Sequence, residues 1–276
     1  MSTRNLSLNL GTVRRQWSLR EAVEACARHG YAGAAPWRDQ VAETGLAEAA
    51  RIFKANGIRV TGYCRGGMFA ALDDTGRRMA IDDNRRMIDE AAALGAECIV
   101  MIGGGLPEGS RDIAAARRMF ADGIAAVLPH ARACGVALAL EPLHPMYAAD
   151  RGCISTLAEV NELCDALGEG VGIAVDVYHV WWDPDLAGQI ARAGRRIIAH
   201  HICDWLVPTR HLLTDRGMMG DGVIDLAGIR AMIERAGYRG LQEVEIFSED
   251  WWNKPGDEVL AIARERFDSV CQAARS

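Results

Sequence analysis

Several common features are missing from this 276-residue sequence, and each absence removes a class of function. No run approaches the roughly 18 apolar residues that a membrane-crossing helix needs, so no membrane partner is expected. The opening residues Met1-Ser2-Thr3-Arg4-Asn5 lead into a short strand-like run without the apolar stretch of a signal peptide, which points to a cytoplasmic protein. There is no excess of positive charge: 31 Lys and Arg stand against 37 Asp and Glu, a net charge of -6. Such a chain builds no field to hold a polyanion, and nucleic acid is not expected as a partner. The eight cysteines form no Cys-x-x-Cys pair and most fall inside apolar periodic stretches, so they read as buried free thiols, not disulfides or a thiolate zinc site. Gly103-Gly104-Gly105 follows a strand-like run but lacks the G-x-G-x-x-G pattern of a dinucleotide site. No Pro- or Ser-rich linker and no shift of composition divides the chain, so residues 1–276 are read as a single domain.

What is present is a repeating unit. Ser18-Leu19-Arg20-Glu21 is a capping box, apolar residues follow at helical spacing, and Gly30 closes the helix before the run 31–35. A helix ended by glycine and followed within a few residues by a β-rich run recurs before 58–63, 97–102, 136–141, 171–176, 196–201 and 241–247. With the first run, 6–10, this makes eight strands separated by helices, the alternation that gives a parallel sheet. Closing eight such units removes both exposed edges, so the expected fold class is α/β, a (β/α)8 barrel.

Four of these runs end in residues that a buried strand should not carry. The strands of 136–141, 171–176 and 196–201 finish in Glu141, Asp176 and His201, and the last run carries Glu243 and Glu245. An ionised carboxylate in a packed core costs several kcal/mol unless a metal, a charge or hydrogen bonds compensate it. In a barrel the carboxyl ends of all strands meet at one face. Glu141, Asp176, His201 and Glu245 then form a mostly oxygen ligand set for one divalent ion, Mn²⁺ first, with Mg²⁺, Co²⁺ or Zn²⁺ as alternatives. Glu243 shares a face with Glu245 by the period of two but lies deeper, with no role evident. The same period sends His200 toward the helix layer. Aromatics cluster after the strands: Trp37, Tyr63, Phe69, Trp181, Trp182, Trp205, Trp251 and Trp252. They are read as walls against a sugar ring, with Trp37 and Trp182 as substrate contacts, or as an interface in a homodimer or homotetramer.

Glu141-Pro142-Leu143, Asp176-Val177-Tyr178-His179, His201-Ile202-Cys203-Asp204, Gly220-Asp221-Gly222-Val223-Ile224-Asp225 and Val244-Glu245-Ile246 resemble the xylose-isomerase-like barrel superfamily, in the branch with ketose 3-epimerases and inosose dehydratases. The resemblance implies metal ligation by Glu141, Asp176, His201 and Glu245, acid/base roles for Glu141 and Glu245, and substrate contacts from His179 and Arg216. One departure is Tyr147, which stands six residues after Glu141 where ketose 3-epimerases carry a second substrate-contacting glutamate.

The expected activity is a metal-dependent isomerase or epimerase of a sugar, keto-sugar or polyol-derived substrate, working through an enediolate that the cation stabilises while the glutamates move protons. A lyase that dehydrates a keto-sugar or cyclitol is the alternative, because enolate formation is common to both. A DNA-repair endonuclease on the same barrel would need more histidines and a basic groove, which this acidic chain lacks.

Overall fold

The computed structural model describes residues 5–271. Met1–Arg4, read above as the lead into the first strand, lie outside the described residues. Strands run β1 Leu6–Asn9, β2 Gly33–Ala35, β3 Arg59–Val60, β4 Tyr63–Gly67, β5 Cys98–Ile102, β6 Ala137–Glu141, β7 Val171–Asp176, β8 Ile197–Ile202, β9 Asp204–Trp205, β10 Arg216–Gly217 and β11 Gln242–Val244. All but β9 and β10 join one parallel sheet in the order β3-β2-β1-β11-β8-β7-β6-β5-β4. The nine strands make eight staves, because β3 and β4 are two halves of one. The expected continuous strand 58–63 is broken at Thr61-Gly62: its first half pairs with β2 and its second with β5. A parallel bridge between Trp37 and Cys64 closes the ring there.

The expected helices surround the sheet, among them α1 Leu19–Arg28, α2 Arg38–Thr44, α3 Leu46–Asn56, α4 Asp74–Leu94 and α5 Ile113–Cys134. Ser18 and Glu21 form the capping box of α1, each side chain bonding the other's backbone N–H. The residues between β2 and β3 hold two helices where one was expected, separated at Gly45. No helix among the described residues is long and apolar enough to cross a membrane.

Alternation along the strands sorts the core into two layers. The outward residues, such as Ile99, Met101, Leu138, Leu140, Ile173 and Val175, pack with the helices in one large apolar cluster. The inward set includes Cys98, Ala139, Ala174 and Ala199, which form a separate small cluster inside the barrel. Small side chains there leave room above them. Two residues further along β6, β7 and β8, on the same inward face, stand Glu141, Asp176 and His201. The register places Asp176 beside His201 and His201 beside Glu243. All eight cysteines are free, and seven are buried; Cys134 is half-buried.

Candidate metal centre

Glu141, Asp176, His201 and Glu245 converge as their places at the strand ends predict. One ligating atom of each lies within 4.8 Å of the others, and the four side chains are sealed, at 7%, 0%, 1% and 5% exposure. Glu245 falls one residue beyond β11, which is shorter than the expected 241–247, but its backbone N–H still donates to Ile202 at 3.0 Å and extends the pairing with β8. His201 Nδ1 stands 3.0 Å from Glu141 Oε1 and 3.4 Å from Glu245 Oε2. Yet neither His201 Nδ1 nor Glu141 Oε1 has a hydrogen-bond partner. The two atoms are close without forming an aligned hydrogen bond. Buried, orphaned oxygen and nitrogen atoms around one point fit a divalent cation, and the donor set of three carboxylates and one imidazole suits Mn²⁺, Mg²⁺ or Co²⁺ better than a thiolate-rich zinc site.

Electrostatics agrees with that fit. Burial pushes the Glu141 carboxyl up to about 7, against the opposing pull of His201. Burial alone would depress His201, but Glu243, Glu141 and Glu245 together hold its imidazole protonated well above the usual range. A dication would take over that proton's role. Asp176 is the exception: although buried, it is held below the usual carboxylate range by Arg216 and His201 and by the N–H of Tyr178, which donates at 2.8 Å.

Arg216 comes from outside the barrel staves. It lies on β10, which pairs antiparallel with β9, and its backbone N–H donates to Phe247 at 3.0 Å. The guanidinium is held between the rings of Tyr178 and Phe247, 4.5 and 5.0 Å from their centroids. Its Nη1 donates to Asp176 Oδ2 at 2.8 Å and Glu245 Oε2 at 3.2 Å. The neighbouring acids are committed elsewhere: Asp215 to Arg210, and Asp221 to Arg266. Asp204 fastens the loop that follows β10 by accepting from the N–H groups of Gly220 and Ile224. Gly222 passes so close to Trp205 that a Cβ there would lie 2.2 Å from its carbonyl oxygen.

His179 Nδ1 accepts from the His144 N–H at 3.2 Å, and its Nε2 stands 3.2 Å from Arg216 Nη2 and 3.5 Å from Asp176 Oδ2. Burial drives its pKa down to about 3, so it stays neutral. Trp37, Cys64, Arg65, Glu141, Leu143, Tyr147, Arg151, His179, Leu213, Arg216, Glu245 and Phe247 all line the cavity above the centre. Tyr147 therefore occupies the wall, buried and bonded through its hydroxyl to the Leu212 carbonyl.

The structure does not bring Trp182 into this cavity: its indole N–H donates to the His179 carbonyl at 2.8 Å, and its ring meets His144 edge-on. Trp181 and Trp205 pack on each other beside Tyr178. Tyr63 and Phe69, expected at the active face, are core residues; Tyr63 bonds Glu90 on α4, and Phe69 packs on Phe120 of α5. Local spacing does not reveal which way a loop aromatic turns. A wider hollow lies at the amino-terminal ends of the strands, lined by Asn5, Arg230, Tyr238 and Arg239, with none of the ligands.

Glu243 now has a place. Its Oε1 accepts from Asn9 Nδ2 at 3.0 Å, its Oε2 from the Thr61 hydroxyl at 2.7 Å, and Oε1 faces His201 Nε2 across 3.7 Å. It is the charge partner of the ligand histidine's far nitrogen, the arrangement that orients a metal-binding imidazole. Asn9 also accepts from the Trp37 indole N–H at 2.7 Å, so one polar network joins the floor of the site to its wall. The inward period of Glu243 was the available signal; Asn9 and Thr61, on other staves, had none. His200 does face the helices, bonded to Gln242 and edge-on to Tyr238.

The chain is a (β/α)8 barrel with a sealed carboxylate and histidine cluster, a candidate metal site, at the carboxyl ends of its strands. The chain belongs to the xylose isomerase-like TIM barrel family, whose sequence profile matches residues 23–269. It is 64% identical to protein SMc04130 from Sinorhizobium meliloti 1021, whose crystal structure superposes with a TM-score of 0.97 over 98% of this chain and 100% of that one. An inosose isomerase from Bacillus velezensis is 23% identical over 283 residues, covering 96% of each chain. The crystal structure of an IOLI protein with a bound zinc atom shares the fold, with a TM-score of 0.84 at 21% identity over 97% of this chain and 98% of that one.

Proposed function

We propose that this protein is an isomerase or epimerase of a sugar, keto-sugar or polyol-derived substrate, dependent on one divalent cation held by Glu141, Asp176, His201 and Glu245. The observation that carries the reading is the convergence of four sealed ligating atoms, two of them without any hydrogen-bond partner, at the floor of a cavity lined by polar and aromatic side chains. The inosose isomerase relative supports the reaction class, and the zinc in the IOLI structure supports a resident metal. The oxygen-rich donor set favours Mn²⁺ here.

When bound, the cation supplies Lewis-acid polarisation of a substrate carbonyl, which makes the adjacent C–H acidic enough for a carboxylate to remove. Glu141 and Glu245 are the acid/base pair. Burial raises the Glu141 carboxyl in the metal-free protein and a bound dication would draw it back down, so each glutamate would ligate through one oxygen and move the proton with the other. Arg216 holds Glu245 and Asp176 in place through Nη1 and sets Nη2 3.2 Å from His179 Nε2, so the two side chains together form the polar edge of the cavity that would meet substrate oxygens. Neutral His179 offers a hydrogen-bonding edge beside it. Trp37 and Phe247, packed edge to face at 5.5 Å, exclude water from one side.

Incubating Mn²⁺-loaded protein with ketoses and keto-cyclitols in D₂O tests the proposal. Deuterium uptake next to the carbonyl without loss of water is expected, and Glu245→Gln abolishes it. Release of an unsaturated product identifies elimination instead. Unchanged metal content and turnover in Glu245→Gln would remove the basis of the reading.

A further inference from the structure

Two arginines in the cavity wall are not explained by the metal centre. Arg65, the residue after Cys64 of the closing bridge with Trp37, is half-buried and lines the cavity, yet among the described residues its guanidinium makes no hydrogen bond and no ion pair. It packs over the Trp37 ring at 5.6 Å. Arg151 lines the same cavity from the segment after β6, and its contact with a carboxylate is a loose one, 3.6 Å to the exposed Asp150.

Glu141 and Glu245 attract Arg65 from a distance, but no nearby acid bonds it. Asp176 and Glu245 are bonded to Arg216, and Glu243 to Asn9 and Thr61. Burial lowers the pKa of Arg65 and the neighbouring charge of Arg151 lowers it further, against the opposing pull of Glu141 and Glu245. Two like charges line one cavity, and an anion beside both would offset their repulsion.

We propose that Arg65 and Arg151 form an anion subsite, so that the substrate carries a carboxylate or phosphate group at the end remote from its reacting carbonyl. This rests on the reading of the cavity as the substrate site. A guanidinium fork matches either anion in bidentate geometry, and a neutral hydroxyl in that place would leave the charges uncompensated.

Three matched probes decide the matter: D-fructose, its carboxylate counterpart D-fructuronate, and its phosphate counterpart D-fructose 6-phosphate. Their affinities for the Mn²⁺-loaded protein are measured by calorimetry, and proton exchange in D₂O is followed in parallel. At least one anion should bind about tenfold or more tightly than D-fructose, the range for a hydrogen bond to a charged group, and the preferred probe distinguishes carboxylate from phosphate. The preference should shrink toward unity in Arg65→Gln and in Arg151→Gln, and rising salt should weaken the anion alone.

Equal affinities, no anion binding, or a preference that survives both substitutions would overturn the subsite. Arg151→Gln alters a partly exposed side chain, so together with the salt series on the unaltered protein it decides the question even if Arg65→Gln does not fold. An Arg-dependent anion preference without exchange on any probe would refute the isomerase reading and leave the subsite standing. Exchange on D-fructose with no anion preference would do the reverse.

Discussion

Glu243→Gln replaces one oxygen by an amide nitrogen at the floor of the site and leaves its volume unchanged. The carboxylate accepts from Asn9 at 3.0 Å and from Thr61 at 2.7 Å. The amide keeps one acceptor, for Asn9, and turns a donor toward the Thr61 hydroxyl. That hydroxyl lies 2.7 Å from Ser7 Oγ and is able to donate there instead. The network can therefore re-form, and the loss of folding stability should stay at about 1 kcal/mol, the net worth of one ordinary hydrogen bond. His201 has no such replacement, because Glu243 is the negative group that faces its Nε2, at 3.7 Å. Losing a partner of that kind weakens metal binding by about 10- to 100-fold, or about 1.4 to 2.8 kcal/mol. Chelator competition with Mn²⁺ measures the affinity, and urea melts of the metal-free protein measure the stability. Affinity within twofold of the unaltered protein would refute the orienting role. A collapse of stability matching the loss of affinity would reduce Glu243 to a structural residue.

Three further outcomes are expected. Arg216→Ala leaves Asp176 and Glu245 buried without their cation, so the metal-free protein should lose about 3 to 5 kcal/mol in urea melts, and saturating Mn²⁺ should restore part of it; a loss under 1 kcal/mol refutes the pairing. His200 is buried and held neutral, its pKa lowered from 6.5 to about 4 by burial. Its contribution is thus fully present above pH 6.5 and lost as pH falls toward 4, at most about 3 kcal/mol; a His200→Gln protein should show a correspondingly shallower acid melting curve. Gly222→Ala forces a Cβ against the Trp205 carbonyl and should cost about 1 to 3 kcal/mol by overpacking, visible as a lower melting temperature, with poorer turnover as the loop carrying Arg216 shifts.

Much of the architecture could be read from local patterns. Glycine-closed helices followed by β-rich runs located the staves, and the capping box at Ser18 and Glu21 formed as written. The period of two then decided which face of each strand Glu141, Asp176 and His201 occupy, since their inward neighbours Ala139, Ala174 and Ala199 lie on the same side. It also turned His200 to the helices. These are short-range consequences of backbone geometry, which a sequence carries within a few residues.

What only the tertiary structure decided depends on register and on the paths of loops. The stave 58–63 is split at Thr61-Gly62, because one half serves β2 and the other β5. Glu243 became the partner of His201 through a pairing between β11 and β8 and through Asn9 and Thr61 on distant staves. Trp37 reached the cavity and Trp182 did not, a matter of side-chain direction in irregular segments. Arg216 found Asp176 and Glu245 in place of its sequence neighbour Asp215, because β10 folds back over the end of β11. The sequence alone determined the residue types at the strand ends and the side of the sheet they face. Bringing Glu141, Asp176, His201 and Glu245 within 4.8 Å required the closed barrel, because contact between residues 104 positions apart is a property of register and closure that no local pattern encodes.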